Sequence, residues 1–181
     1  PRGGGEHRRM ILDPAARQIV EALGRRPHPE GGFFAETWRS AEVLPAVALP
    51  ARYGGSRACG TAIYYLLVEG TFSAFHRVAS DEVFHHYAGA CVEQVHLREV
   101  GSGARVRLGP RLEEGERPQV TVPRGTWQAS RLVPPGRSAL LGCTVAPGFA
   151  FEDFELARAE DLLDRWPAFS AEIRALTRPR A

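Results

Sequence analysis

From residue 58 to residue 147 the chain is a succession of short strand-like runs, each about eight to twelve residues after the last, with glycine or proline between them. The runs read CGTAIYYLLVEG, TFSAFHRV, EVFHHYAG, CVEQVHLREVG, ARVRLG, QVTVPRGTWQASRLV and SALLGCTVAPG. Strands this close together leave no room for the crossover helix that a parallel βαβ unit needs. An all-β sandwich or barrel follows. Neither a G-x-G-x-x-G nor a Walker-type loop interrupts the pattern, which excludes the usual nucleotide folds.

Helical periodicity is confined to the two ends. Residues 11–24, ILDPAARQIVEALG, predict a short helix with Asp13 as N-cap, Pro14 in the first turn and Gly24 beyond the end. Ile11, Ile19, Val20 and Leu23 form its apolar stripe. Near the C-terminus, Leu162, Leu163 and Trp166 precede Pro167, while Phe169, Ile173 and Leu176 follow it. That predicts a helix, or a pair broken at the proline, packed on the outside of the β domain. Between the first helix and the strand run, RPHPEGGFFAETWRS reads as a turn leading into a strand. Alternation there puts Phe34, Glu36 and Trp38 on one face and Phe33, Ala35 and Thr37 on the other. Residues 41–57 read as a surface connection. Residues 1–10, ending at the only methionine, are expected to be a disordered tail, and residues 11–181 one domain.

Composition narrows the partners. The hydrophobic fraction is 44% and the charged fraction 24%, as in an ordinary globular protein. No apolar run approaches the roughly 18–20 residues of a membrane span, and the basic N-terminus lacks the apolar core of a secretory signal. All 23 basic residues are arginine, but they are scattered and lie beside acids, so no nucleic-acid surface is expected. Cys59, Cys91 and Cys143 lack any C-x-x-C spacing and sit in apolar surroundings. They read as reduced buried thiols, which points to a cytoplasmic protein.

The residues that carry chemistry lie in GTFSAFHRVASDEVFHHYAG, residues 70–89. Gly70, His76, Val78, Glu82 and Gly89 stand in a frame that resembles the first motif of the cupin superfamily, in which two histidines flank one residue and a glutamate follows. Val78 stands where the second histidine would be. PRGTWQ resembles the second motif, with Pro123 and Gly125 kept and Gln128 in the histidine position. Together with HPEGGFFAETWRS, TAIYYLL and TVAPGFAFEDFE, these blocks make the chain similar to the cupin-like family DUF985, or cupin_5, from about residue 15 to about residue 177. The resemblance implies a double-stranded β-helix, the cupin jelly roll, with a short N-terminal helix and a C-terminal helix, and a homodimer. It implies no general activity.

Three functional readings follow. A divalent metal would have only His76, Glu82 and Gln128, with His86 as a further imidazole, and that donor set is poor for zinc or iron. The favoured reading needs no cofactor. His76 acts as a general base whose tautomer is fixed by Glu82 or Asp81, and Tyr64 or Tyr87 supplies the opposing acid. Gln128 and His86 orient a small polar ligand, Phe84 and Trp127 wall it, and Glu36 and Arg39 either pair with each other or line the pocket. This gives isomerase- or epimerase-type chemistry on a sugar derivative or another hydroxylated molecule, anionic if Arg39 and Arg77 face it. The third reading is a binding module without turnover. His85 and His86 face opposite ways, and alternation from Glu82 selects His86 unless a bulge reverses the choice. His28 reads as a turn residue, His96 as surface or dimer contact, Trp127 as core or pocket wall, and Glu152, Asp153 and Glu155 as solvated.

Overall fold

Each strand here must bury one face against the opposite sheet, and some must bury both, so the fold is set by what covers each outer face. The computed structural model describes residues 14–22, 24 and 26–178. In chain order, helix α1 (Pro14–Ala22) is followed by β1 (Arg26–Pro27), β2 (Phe33–Arg39), β3 (Val43–Leu44), β4 (Arg57–Ala58), β5 (Thr61–Val68), β6 (Phe72–Arg77) and β7 (Asp81–Gly89). Then come β8 (Val92–Leu97), β9 (Gly103–Leu108), β10 (Gln119–Val122), β11 (Trp127–Leu132), β12 (Ser138–Ala146), β13 (Glu155–Leu156), α2 (Ala159–Leu163) and α3 (Ser170–Ala175).

The strands form a six-stranded sheet in the order β1-β2-β5-β12-β7-β10 and a five-stranded sheet in the order β13-β6-β11-β8-β9, with β3 and β4 as a separate ribbon. From β5 to β8 successive strands alternate between the two sheets, and β11 and β12 insert between them from the later chain. All pairings within the sheets are antiparallel. This is the jelly roll that the run of short strands implies.

Two apolar cores hold it. Between the sheets, Tyr65, Leu67, Phe84, Val92, Leu108, Leu141, Cys143 and Val145 pack together. On the outer face of the five-stranded sheet, Phe75, Val95, Leu97, Trp127 and Ala129 pack under Leu162, Trp166, Phe169, Ile173 and Leu176. The C-terminal segment is therefore a broken pair, with a 3-10 turn at Pro167–Phe169 between α2 and α3. Trp166 anchors it by donating its indole N–H to the carbonyls of Glu99 and Ser102. At the other end Ile19 of α1 packs with Phe33 against Leu66 and Val68. Asp13, Ile11 and Leu23, expected to cap and stripe the first helix, lie outside the described residues, as does the expected tail 1–10.

Several sequence expectations are corrected. His96 is fully buried on the inner face of β8 rather than on the surface. Its ring nitrogens have no hydrogen-bond partner among the described residues, and burial pushes it down to about 4. Trp127 faces outward into the helix-covered core, with the Arg77 guanidinium 4.4 Å above its ring, so it is no pocket wall. The 41–57 connection is mostly exposed, but Tyr53 turns in to meet Ser80 Oγ at 2.9 Å. Asp153 is not solvated. It accepts two hydrogen bonds from Arg57, at 2.7 and 2.6 Å, and both side chains are buried. This ion pair ties the segment after β12 to β4. Asp153→Asn leaves a buried guanidinium without its counter-charge, and urea unfolding is expected to show a loss of about 3 kcal/mol. Arg57→Met in the same chain is expected to recover much of that loss.

Candidate functional site

The site begins with an irregularity in β6. Opposite β11, Gln128 pairs with His76 but Ser130 pairs with Ser73, so three steps on β6 match two on β11. The extra residue puts Ser73 and His76 on the inner face together while Phe75 turns outward under the helices. It also frees the peptide groups of Ala74. Its N–H donates to the Glu30 carbonyl at 2.8 Å, and its carbonyl lies 2.8 Å from His76 Nδ1.

Glu30 arrives from the turn between β1 and β2. Gly31 has φ +122° and Gly32 φ +67°, and a Cβ at Gly31 would collide with the carbonyl of Phe72. Only a Gly-Gly pair lets this turn press so closely on β6 and β5. Tyr65 donates its hydroxyl hydrogen to the Gly31 carbonyl at 2.8 Å, and Arg178 donates to the Glu30 carbonyl at 3.2 Å. The Glu30 carboxylate is thereby carried into the barrel at 5% exposure. Oε1 accepts from Ser73 Oγ at 2.9 Å, and Oε2 lies 3.0 Å from His76 Nε2.

That last contact fixes a proton. Among the described residues His76 Nδ1 faces only the Ala74 carbonyl, so it carries hydrogen. Nε2 is left facing a carboxyl oxygen, and two lone pairs at 3.0 Å would repel, so one proton lies between them. Burial pushes His76 down, against the charge of Glu82, and pushes Glu30 up, against the charge of His28. Both shifts favour neutral imidazole beside carboxylic acid.

Glu82 on β7 faces the same space from the other sheet. It is 6% exposed, accepts from the Gln128 side-chain amide and has Cys143 Sγ 3.6 Å from Oε1. Burial pushes it up to about 7, against the opposing charge of His76. Cys143, in turn, is pushed well up by burial and stays a thiol.

These groups line a cavity of about 100 Å³ between the sheets. Phe34, Phe149, Phe151 and Phe154 supply aromatic walls. His28, stacked on Phe151 and edge-on to Phe34, belongs to the lining and is more than a turn residue. Glu36 and Arg39 line it as well and pair with each other at 2.6 Å. They share a side because β2 carries a bulge between Glu36 and Trp38, which breaks the expected alternation and leaves Trp38 half exposed.

Of the residues singled out from sequence, His76, Glu82, Phe84, Glu36 and Arg39 line the cavity. Gln128 lies behind it, bound to Glu82, with its own Oε1 unpartnered among the described residues. Tyr64 does not reach it. Its neighbour Tyr65 takes the inner face, and Tyr64 meets Tyr87 edge-on at 5.8 Å on the outer one. His86 keeps the inner parity of Glu82, but its Nε2 is 3.0 Å from the Ala90 carbonyl at the far end of β7, outside the cavity lining. His85 stacks on Tyr87 outside. Arg77 pairs with Glu155 on the outer face. The sequence reading missed Glu30, His28 and the three phenylalanines of 149–154. An acid next to Gly-Gly and the aromatic spacing in PGFAFEDFE were their only signals.

The resemblance to the cupin motifs implies a metal, and the donor set argues against a resident one. Val78 lines the cavity where a second imidazole would be needed, and Gln128 is engaged by Glu82. Among the described residues no group of three or more His, Cys, Asp or Glu side chains is arranged to hold a metal ion. Also among the described residues, no helix is long and apolar enough to cross a membrane.

The family model described as Cupin superfamily (DUF985) matches residues 17–157. A protein of Saccharomyces cerevisiae, Uncharacterized protein YML079W, is 32% identical over 172 residues, covering 88% of this chain and 85% of its own. The crystal structure of protein SO0799 from Shewanella oneidensis superposes with a TM-score of 0.81 at 35% identity, covering 91% of this chain and 98% of that one. A hypothetical protein from Leishmania major gives the same TM-score of 0.81 at 29% identity, with 91% and 99% covered.

Glu82 gives the site a pH signature. Its carboxyl shifts from an ordinary 4.5 to about 7 on folding, so the folded state binds the proton more tightly. Stability on its account is full below about 4.5, falls as pH rises and is lost above about 7, a change on the order of 3 kcal/mol. Denaturant titrations of Glu82→Gln and the parent across this range are expected to diverge only inside that window, with the variant gaining relative stability as pH rises.

Proposed function

Because the chain belongs to the cupin superfamily, in its DUF985 family, we propose that it binds a compact small molecule in the barrel and moves a proton on it. The chemistry is of the isomerase or epimerase type. The observation that carries this reading is the 3.0 Å contact between His76 Nε2 and Glu30 Oε2 in the cavity lining, with a second buried carboxyl, Glu82 on β7, facing the same cavity.

The geometry supports roles other than those the sequence suggested. His76 has one nitrogen on the Ala74 carbonyl and the other on Glu30, so it has no free lone pair with which to start as base. Glu82, pushed up to about 7, is half ionised near neutral pH and is the better acceptor. In the forward direction the Glu82 carboxylate takes a proton from a carbon next to a carbonyl. The His76–Glu30 pair then returns its shared proton from the other side, and in reverse the roles exchange. Tyr64 has no part in this, since its ring lies outside the lining. Gln128 acts as a positioning residue by holding the Glu82 carboxylate through its amide.

Small carbonyl compounds match the cavity of about 100 Å³. Hydroxyacetone, dihydroxyacetone and aminoacetone, incubated with the protein in deuterated water, are expected to lose α C–H signal in proton NMR faster than in buffer alone. The exchange rate is expected to rise with pH through about 7 as Glu82 ionises. Glu82→Gln and Glu30→Gln are each expected to lower it by about 100-fold or more. Binding of these compounds without any exchange would make the protein a binding module and end the catalytic reading.

A further inference from the structure

The walls of this cavity are more informative about its ligand than about its reaction. Two carboxyl groups, Glu30 and Glu82, line it at 5% and 6% exposure. The chain contains no lysine. Arg39, in the lining, is paired with Glu36, Arg57 is held by Asp153, and Arg77 is paired with Glu155 on the outer face. Among the described residues Glu82 has no cationic partner within ion-pair distance, and its hydrogen-bond donors are the neutral Gln128 amide and Cys143 thiol. The two histidines of the lining are pushed toward their neutral forms by burial.

The rest of the lining is aromatic. Phe34, Phe149, Phe151 and Phe154 line the space, with Phe151 edge-on to Phe149 at 5.1 Å and to Phe154 at 6.5 Å between ring centres. Ring faces carry negative quadrupole density and attract a cation within about 6 Å, most strongly where water is excluded. A buried carboxyl without a cationic partner, Glu82, beside such rings makes a site that favours a cation over an anion.

We infer that the barrel cavity recognises a compact cation, an ammonium or alkylammonium group, with the phenylalanines as its cage and Glu82 as its counter-charge. This rests on the reading of the cavity as the ligand site and names the class of ligand. It replaces the anionic substrate that Arg39 and Arg77 suggested, because Arg39 is bound by Glu36 and Arg77 lies on the outer face. Under the proton-transfer reading the matching substrate carries an amino group beside the reacting carbon, as aminoacetone does.

The test uses ligands that keep their charge. Tetramethylammonium is cationic at every pH, tert-butanol is a neutral body of similar shape, and pivalate is its anionic counterpart. Calorimetric or NMR titration at about pH 8 is expected to show tetramethylammonium bound tenfold or more tighter than tert-butanol, with pivalate weakest. At about pH 6 its affinity is expected to fall about tenfold as Glu82 takes up a proton, while tert-butanol is unchanged. The groups facing Glu82 are His76 on β6, Glu30 in the β1–β2 turn and Cys143 on β12, besides Gln128 on β11. Glu82→Gln therefore separates them, since it is expected to remove the pH dependence near neutrality and leave any acid-range dependence. Phe151 is 55% exposed, so Phe151→Ala is expected to fold normally and to weaken tetramethylammonium severalfold. Equal or tighter binding of tert-butanol or pivalate, or no binding of tetramethylammonium, would overturn the inference. Cation binding without C–H exchange would sink the isomerase reading alone, and exchange without cation preference would sink this one alone.

Discussion

The contact between Glu30 and His76 is the constraint around which the rest of the barrel is arranged. A carboxyl and an imidazole at 3.0 Å, both withdrawn from water, hold together only with one proton between them and their remaining polar atoms bonded. Each of those bonds comes from a different part of the chain. Ser73 and the Ala74 peptide come from the irregular stretch of β6, Gly31 and Gly32 set the turn that inserts Glu30, and Tyr65 and Arg178 fasten the turn's carbonyls. The C-terminal segment also meets β6, where the Phe75 N–H donates to the Leu176 carbonyl. The part of β6 beyond its short pairing with β13 would otherwise expose its peptide groups, and it is thus covered from both ends of the sequence.

Burying that many polar groups is unfavourable on its own, and the two apolar cores offset it. The second core explains several assignments at once. Because α2 and α3 roof the outer face of the five-stranded sheet, β8 and β11 bury both of their faces. Trp127 can then be buried without touching the cavity, and the inner row opposite it is free to be polar. His76, Gln128 and His96 occupy that row as successive cross-strand neighbours on β6, β11 and β8. The aromatic strap over the mouth is likewise held by polar bonds rather than by packing alone. Arg57 grips Asp153, and the Phe149 N–H donates to Thr61 Oγ1.

What the sequence made legible follows from this arrangement. Strand limits were marked by glycines and prolines, and the positions of His76, Glu82 and Gln128 followed from a spacing that resembles a known motif. Face assignments were readable wherever one face is wet. They failed where both faces are apolar or where an extra residue shifts the phase. Tyr64 and Tyr65 could not be told apart because β5 is covered on its outer side by Ile19 and Phe33 further along. Trp38 and Arg39 exchanged sides at a bulge that no local residue announces. Glu30 was hidden for a different reason. Its role depends on a turn folding back onto β6, more than 40 residues later, and a glutamate beside two glycines looks like any solvated turn.

The changes at Val78 and Gln128 also decide the electrostatics of the cavity. A carboxylate at position 82 surrounded by imidazoles and a divalent ion would be held ionised well below neutral pH. With valine and glutamine in place of two imidazoles, Glu82 keeps its burial and loses that compensation, which leaves a group that titrates at about 7. Gln128 cannot supply the missing charge, since its amide offers only a neutral N–H. Two partners can then satisfy Glu82, a proton or the positive end of a ligand, and they compete for the same oxygens. Under the proposed cation recognition, binding releases a proton, and the acceptor form that the proposed chemistry needs is the form the ligand itself selects. On that proposal recognition and ionisation are one equilibrium, set by a buried acid that has no cationic partner within ion-pair distance among the described residues.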